Sequence, residues 1–321
     1  MAIVLLVAVG LALVEWAYVA RSIPFKLDRK DFQSLARKGD LLVLGDSRAD
    51  VDVDPETLGR ALGYPRAVNV ADAGKSPINQ MQLLSMMDLD PAFLVIVVSP
   101  ASVYGTFYRN PKAVRKDLER ERKGDSLSKI IHTPYDYSEP ALSNFAKAHL
   151  HLARGFNGLR AILAGHVNRF WDERGWDHLA DLGDNRNYVA LINLDAYRAN
   201  VLNTGKGIED ERDKAFREAY LALCPAPQAV LVRTPCSPEI RALEDGRFPD
   251  FDARMERLAS SMGLFFWPPP PDFTPDWSRA DGSHLTVEQA AAYTRRLVQA
   301  FLRQGAKPQS GLSQPSPASA P

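Results

Sequence analysis

Five short apolar runs punctuate this chain, at 41–44, 67–70, 93–98, 229–232 and 264–267, and segments with helical spacing of apolar residues lie between most of them. Runs so short and so largely apolar suit strands covered on both faces. The intervening helices are expected at 55–62, 77–87, 214–223, 251–262 and 287–302. Alternation of this kind predicts an α/β fold, a doubly wound three-layer sandwich around a mostly parallel five-stranded sheet. Two start signals agree with it: Asp54-Pro55 offers an N-cap followed by proline at the first helical position, and Thr286 with Gln289 fits a capping box. Ligands of such sheets bind at the carboxyl ends of the strands. Chemistry is therefore expected in the residues that follow each run.

The flanks follow other rules. Residues 2–14 are apolar or glycine without a break, and Glu15-Trp16-Ala17-Tyr18-Val19-Ala20 extends the run to nearly the ~20 residues of a membrane span. An uncleaved anchor over residues 1–22 is the reading adopted. A cleaved signal fits less well, because Tyr18 stands where a small residue is wanted, and a buried helix is the third alternative. Arg21, Lys26, Arg29 and Lys30 follow the run and no basic residue precedes it, which argues against an exported body unless a basic leader lies upstream. The expectation is a membrane-anchored protein with an extracytoplasmic body, its orientation open. A short amphipathic helix is expected at 31–38, and one domain at 29–303.

Within that domain residues 101–225 break the rhythm. They are charge-rich, hold five of the six histidines and show no clear strand, so they read as a mostly helical insertion or lid. Residues 304–321, rich in Ser, Pro, Gly and Gln, are expected to be disordered. Lys+Arg and Asp+Glu are equal at 39 each, which leaves no basic field to attract nucleic acid. A strand at 228–234 would hold Cys224 and Cys236 roughly 20 Å apart at ~3.3 Å per residue. A disulfide spans only about 7 Å between Cα atoms, so two free thiols are expected.

The first run ends in Gly45-Asp46-Ser47-Arg48. A serine hydroxyl is a weak nucleophile unless a base takes its proton and a third group holds that base in one tautomer. Asp281-Gly-Ser-His284 supplies such a pair just before the last helix. In the predicted sheet both loops lie on one edge, and Ser47, His284 and Asp281 then form a triad. The plainer alternative is a turn in which Asp46 caps the next backbone N–H groups, with Asp281 capping a loop beside a surface histidine.

LGDSR and DGSHLT resemble the first and last blocks of the SGNH (GDSL-type) hydrolase superfamily of esterases, lipases, and carbohydrate deacetylases or acyltransferases. NVADAGKSP, with Gly74, resembles a third block. The resemblance covers 40–100 and 228–303 and implies an SGNH/flavodoxin-like sandwich. It also implies an acyl-enzyme on Ser47, and an oxyanion hole built from the N–H groups of Ser47 and Gly74. It calls for no cofactor and no metal. The family's Gly-x-Asn-Asp block is missing: Ser99-Pro100-Ala101-Ser102 stands there, so Asn79 or the Ser99 hydroxyl is the candidate replacement donor. The run from Gly45 to Pro77 is similar to membrane-anchored bacterial members that modify cell-surface polysaccharide. The expected partners are the membrane, through the N-terminal helix, and an acylated small molecule or carbohydrate. A catalytically degenerate carbohydrate-binding or scaffolding protein of the cell envelope is the alternative.

Other residues invite weaker readings. Asp50, Asp52 and Asp54 alternate as in a calcium loop, but Pro55 and Ala61 occupy the positions where an EF-hand needs Gly and Glu, so a solvated loop is expected. Arg48 suits an ion pair with a nearby aspartate better than the steering of an anionic substrate. His149 and His151 lack the i, i+4 spacing of a helical zinc pair. Trp171 and Trp176 suit a hydrophobic core better than a sugar-stacking platform.

Overall fold

The computed structural model describes residues 36–72, 74–87, 89–110, 112, 114–115, 169–171, 174, 176–179, 194, 197–198, 202, 207–223, 228–277 and 282–303. The strands, in chain order, are β1 (Leu41–Leu44), β2 (Ala67–Asn69), β3 (Phe93–Val97), β4 (Arg169–Trp171), β5 (Asp177–Leu179), β6 (Gln228–Val232) and β7 (Phe265–Trp267). Five of them form one sheet in the order β2-β1-β3-β6-β7, with every neighbouring pair parallel. Leu42 lies opposite Val68 on one side and Leu94 on the other, and Val232 lies opposite Val97 and Trp267.

The helices are α1 (Ser47–Asp52), α2 (Pro55–Leu62), α3 (Pro77–Met86), α4 (Pro100–Tyr104), α5 (Glu209–Leu221), α6 (Pro238–Arg247), α7 (Phe251–Ser261) and α8 (Val287–Arg303). Successive strand residues point to opposite faces. On one face Leu42, Leu44, Leu94, Ile96 and Leu231 pack with residues of α3, α5 and α7. On the other, Leu41, Val43, Val95, Val97 and Val232 pack with residues of α2 and α8. Burial on both faces is why β1 and β3 read as unbroken apolar runs, whereas β7, at the sheet edge, leaves Phe265 exposed. β1 connects to β2 through α1 and α2 on the second face, and β2 connects to β3 through α3 on the first. The connections therefore part company between β1 and β3, where an α/β sheet opens a crevice at its carboxyl edge.

All five expected sheet strands and all five expected helices exist, with boundaries shifted by a few residues and α2 as expected. Both start signals hold. Asp54 accepts from the N–H groups of Glu56 and Thr57, and Thr286 and Gln289 exchange side-chain-to-backbone hydrogen bonds. Three helices were not expected. α4 is opened by a capping box between Ser99 and Ser102, and α6 by Ser237, whose hydroxyl accepts from Ile240 N–H. α1 is six residues at whose end a run of alternating aspartates and valines (residues 50–54) begins, a strand-like pattern that tertiary contacts override.

The insertion is corrected in part: β4 and β5 form an antiparallel hairpin where no strand was expected. The aspartate run is also corrected, since Asp50, Asp52 and Asp54 are buried rather than solvated. Cys236 is a free thiol, and Cys224 lies outside the described residues. The same holds for the apolar segment 1–22, for His149 and His151, for the tail 304–321 and for most of 31–38. Among the described residues, no helix is long and apolar enough to cross a membrane.

The turn from β1 into α1 depends on Gly45. Its φ is +148°, and a Cβ there would lie 2.6 Å from Ala49 Cβ and 2.9 Å from the Val97 carbonyl oxygen. The side chain of Gln80 closes on the same peptide, Oε1 accepting from Gly45 N–H at 2.7 Å and Nε2 donating to Gly45 O at 2.9 Å. Gly45→Ala is expected to lose about 3 kcal/mol from backbone strain and overpacking, read as a lower urea midpoint at unchanged slope.

Candidate active site at the carboxyl rim

Ser47 is the first residue of α1, directly after the carboxyl end of β1, and its side chain is partly exposed. The N–H groups of a helix's first turn have no acceptor within the helix. Asp46, the N-cap, supplies one by accepting from Arg48 N–H at 3.0 Å. Its other carboxylate oxygen accepts from the Ser99 hydroxyl at 2.8 Å. That bond joins the ends of β1 and β3 across the crevice. The capping reading of Asp46 is thus correct, and it leaves the Ser47 hydroxyl free of any structural duty among the described residues.

The far end of α1 is held as firmly. Asn69, fully buried at the end of β2, donates through Nδ2 to the carbonyls of Ala49 (2.7 Å), Val53 (3.2 Å) and Asp50 (3.3 Å). Its Oδ1 accepts from Ala71 N–H at 3.1 Å. Trp176 Nε1 donates to the Val51 carbonyl at 2.7 Å, and this indole is buried in the core, as expected for it. The side chain of Trp171 lies outside the described residues.

Gly74 lies in the loop that follows β2. Asp72 N–H donates to Gly45 O at 3.3 Å, and Lys75 N–H closes a turn onto Asp72 O at 3.1 Å. Gly74 adopts φ +71° at the third position of that turn, and nothing lies within 4 Å of where its Cβ would be. The loop thus starts two residues from Ser47 and carries an open-faced glycine.

The two candidate side-chain donors are committed elsewhere. Asn79 Nδ2 donates to Arg109 O (2.7 Å) and Gln82 Oε1 (3.1 Å), and its Oδ1 accepts from Arg109 N–H (2.7 Å). Ser99 gives its hydroxyl proton to Asp46. Asn79 fastens the backbone beyond α4, and Ser99 fastens the crevice.

His284 arrives from the opposite end of the chain. Gly282 O accepts from Ser237 N–H at 2.7 Å, and Leu285 N–H donates to Asp52 Oδ1 at 2.8 Å. The histidine is partly exposed, with its Nε2 shielded from solvent. One anchor of its loop follows β6 and the other is the last residue of α1, so the downstream segment does come to the rim that bears Ser47. Ser47 and His284 are not hydrogen-bonded to each other, and Asp281 lies outside the described residues.

Beneath Ser47 lies a buried charge network without a sequence signal. Arg48 Nη2 meets Glu244 Oε1 and Arg233 Nη2 meets Glu244 Oε2, both at 2.7 Å, and all three side chains are within 2% of complete burial. The Tyr197 hydroxyl also donates to Glu244, and Arg233 pairs with Asp252 at 2.5 Å. The partner of Arg48 is therefore a glutamate nearly two hundred positions away, not a nearby aspartate. Burial opposes ionisation of Glu244, but Arg48 and Arg233 outweigh it and hold its carboxyl below the usual range. Burial likewise works against the Arg48 charge, yet Glu244 keeps its pKa well above the ordinary value. Burial pushes the Cys236 thiol up to about 11, so it is protonated and unreactive at neutral pH.

Family models, curated proteins and solved structures were compared with the chain, and none matches it. Among the described residues, no group of three or more His, Cys, Asp or Glu is placed to hold a metal ion.

Glu244→Gln leaves two buried guanidinium groups facing a neutral amide, and should lose about 3–5 kcal/mol of stability at neutral pH. A carboxyl whose folded pKa is depressed contributes stability above its unfolded value, about 4.3, and loses it as pH falls through the folded value. The difference between wild type and variant, followed by chemical denaturation, should therefore be full at pH 7 and shrink below about pH 4.

Proposed function

We propose that the chain is a serine-dependent ester hydrolase or O-acyltransferase of the SGNH kind, working through an acyl-enzyme on Ser47. The observation that carries the reading is the tethering of the His284 loop to the helix that Ser47 begins, through Leu285 N–H and Asp52. Two segments more than two hundred positions apart meet at the carboxyl rim, beside the crevice between β1 and β3. That is where α/β sheets bind ligands.

In this mechanism His284 takes the Ser47 hydroxyl proton as Oγ bonds to the acyl carbonyl carbon, and Asp281 holds the imidazolium. The N–H groups of Ser47 and Gly74 stabilise the oxyanion. Collapse of the tetrahedral species breaks the ester C–O bond, and His284 returns the proton to the departing alkoxide. Water, or a sugar hydroxyl deprotonated by the same histidine, then attacks the acyl-enzyme and frees Ser47. No metal or organic cofactor enters this chemistry. Acylated cell-surface carbohydrate is the proposed substrate class and the apolar segment 1–22 the proposed membrane anchor, both resting on the sequence.

A second reading is a degenerate, carbohydrate-binding relative acting as an envelope scaffold. It is favoured by the commitment of Asn79 and Ser99, since losing one oxyanion donor costs about 10²–10³ in rate.

A fluorophosphonate probe separates the two. Wild type should gain one adduct on the peptide containing Ser47, Ser47→Ala none, and His284→Ala should label at least about 10³-fold more slowly. Labelling of Ser47→Ala equal to wild type, or no labelling of wild type at any probe concentration, contradicts the enzyme.

A further inference from the structure

We infer that Asp52 is a positioning residue for His284, an inference that rests on the proposed role of that histidine as the base. Asp52 is the last residue of α1 and is fully buried. Its Oδ1 accepts from Leu285 N–H at 2.8 Å, one residue beyond His284, while Ser237 N–H holds Gly282 O two residues before it. His284 therefore sits on a short span fixed at both ends. A second bond reinforces the C-terminal side: Asp54 N–H donates to Thr294 Oγ1 at 3.0 Å, binding the residues after α1 to the helix after His284.

The geometry gives this carboxylate a task that Asp54 does not share. Asp54 spends its side chain on the N–H groups of Glu56 and Thr57 and on the Thr57 hydroxyl, all within its own helix start. Asp52 reaches across 233 positions to a backbone amide. Ser47 and Asp52 are the ends of one six-residue helix, separated by about 7.5 Å of helical rise. α1 is clamped by Asp46, Asn69 and Trp176. The element that presents the nucleophile also sets the position of the base, and Asp52 is the link. Leu285 is itself fully buried, so its N–H has no solvent to turn to if the carboxylate is removed.

The test uses Asp52→Ala and Asp52→Ser, which cannot reach Leu285, and Asp52→Asn, which keeps the Oδ1 acceptor. Each is assayed well below its melting temperature. Hydrogen exchange at the Leu285 amide and carbethoxylation of His284 by diethyl pyrocarbonate, resolved by peptide mapping, read positioning without reference to turnover. Both should accelerate about tenfold or more in the Ala and Ser variants through local opening, and stay near wild type in Asn. Labelling of Ser47 by the fluorophosphonate should slow by about 10²-fold in Ala and Ser, again with recovery in Asn. Serine stands in for alanine if the latter fails to fold. Unchanged exchange and carbethoxylation in Ala and Ser overturn the inference. So does a wild-type labelling rate in a variant whose Leu285 amide has opened, or an Asn variant as impaired as Ala. If wild type itself does not label, the enzymatic reading fails, while exchange and carbethoxylation still decide the tether.

Discussion

A helix of six residues has no stability of its own in water. Its orphan N–H and C=O groups outnumber its internal hydrogen bonds, and nucleation is unfavourable. α1 exists because side chains outside it satisfy it: its N-cap Asp46 at the start, and Asn69 and Trp176, from elsewhere in the chain, at its end. Every other feature of the rim depends on that arrangement. With α1 in place Ser47 stands at the end of β1, Arg48 points into the buried network, and Asp52 meets the loop of His284. Without it the chain would leave the sheet as an irregular loop, and the serine would have no defined direction.

The same contacts spread the cost of the site across the whole fold. Asn69 belongs to β2, Ser99 follows β3, Glu244 lies on α6 and Leu285 precedes α8. Almost every connection at the carboxyl edge contributes one polar side chain or amide to holding the residues from Gly45 to Asp52. Glu244 is paired through both oxygens, whereas Arg48 Nη1 and Arg233 Nε, buried in the same network, have no hydrogen-bond partner among the described residues.

The scaffold could be read from the sequence because it rests on local signals. Apolar runs, Asp54-Pro55 and the Thr286 capping box each act over a few residues, and each appears in the structure as expected except that the last run, β7, is an edge strand with Phe265 exposed rather than covered on both faces. The order β2-β1-β3-β6-β7 is the doubly wound arrangement that alternation implies. What escaped was carried by distant partners. Nothing around Glu244 announces that it neutralises Arg48 and Arg233, and the aspartates at 50, 52 and 54, read as a solvated loop, hid the end of α1. One hint was available: Asn69 interrupts an otherwise apolar run, and a polar residue in a buried strand needs partners. The β4-β5 hairpin was missed because three-residue strands carry too little pattern to detect.

The central claim is that the Ser47 helix, the Gly74 loop and the His284 loop form one catalytic surface. The most direct measurement is a crystal structure of the protein after phosphonylation, since a tetrahedral adduct mimics the charge distribution of the reaction. The account predicts phosphorus bonded to Ser47 Oγ, and a phosphonyl oxygen about 3 Å from the N–H groups of Ser47 and Gly74. The imidazole of His284 should lie within hydrogen-bond reach of Oγ. An adduct whose oxygen faces away from Gly74, or a His284 ring turned out of reach of Ser47, would contradict it.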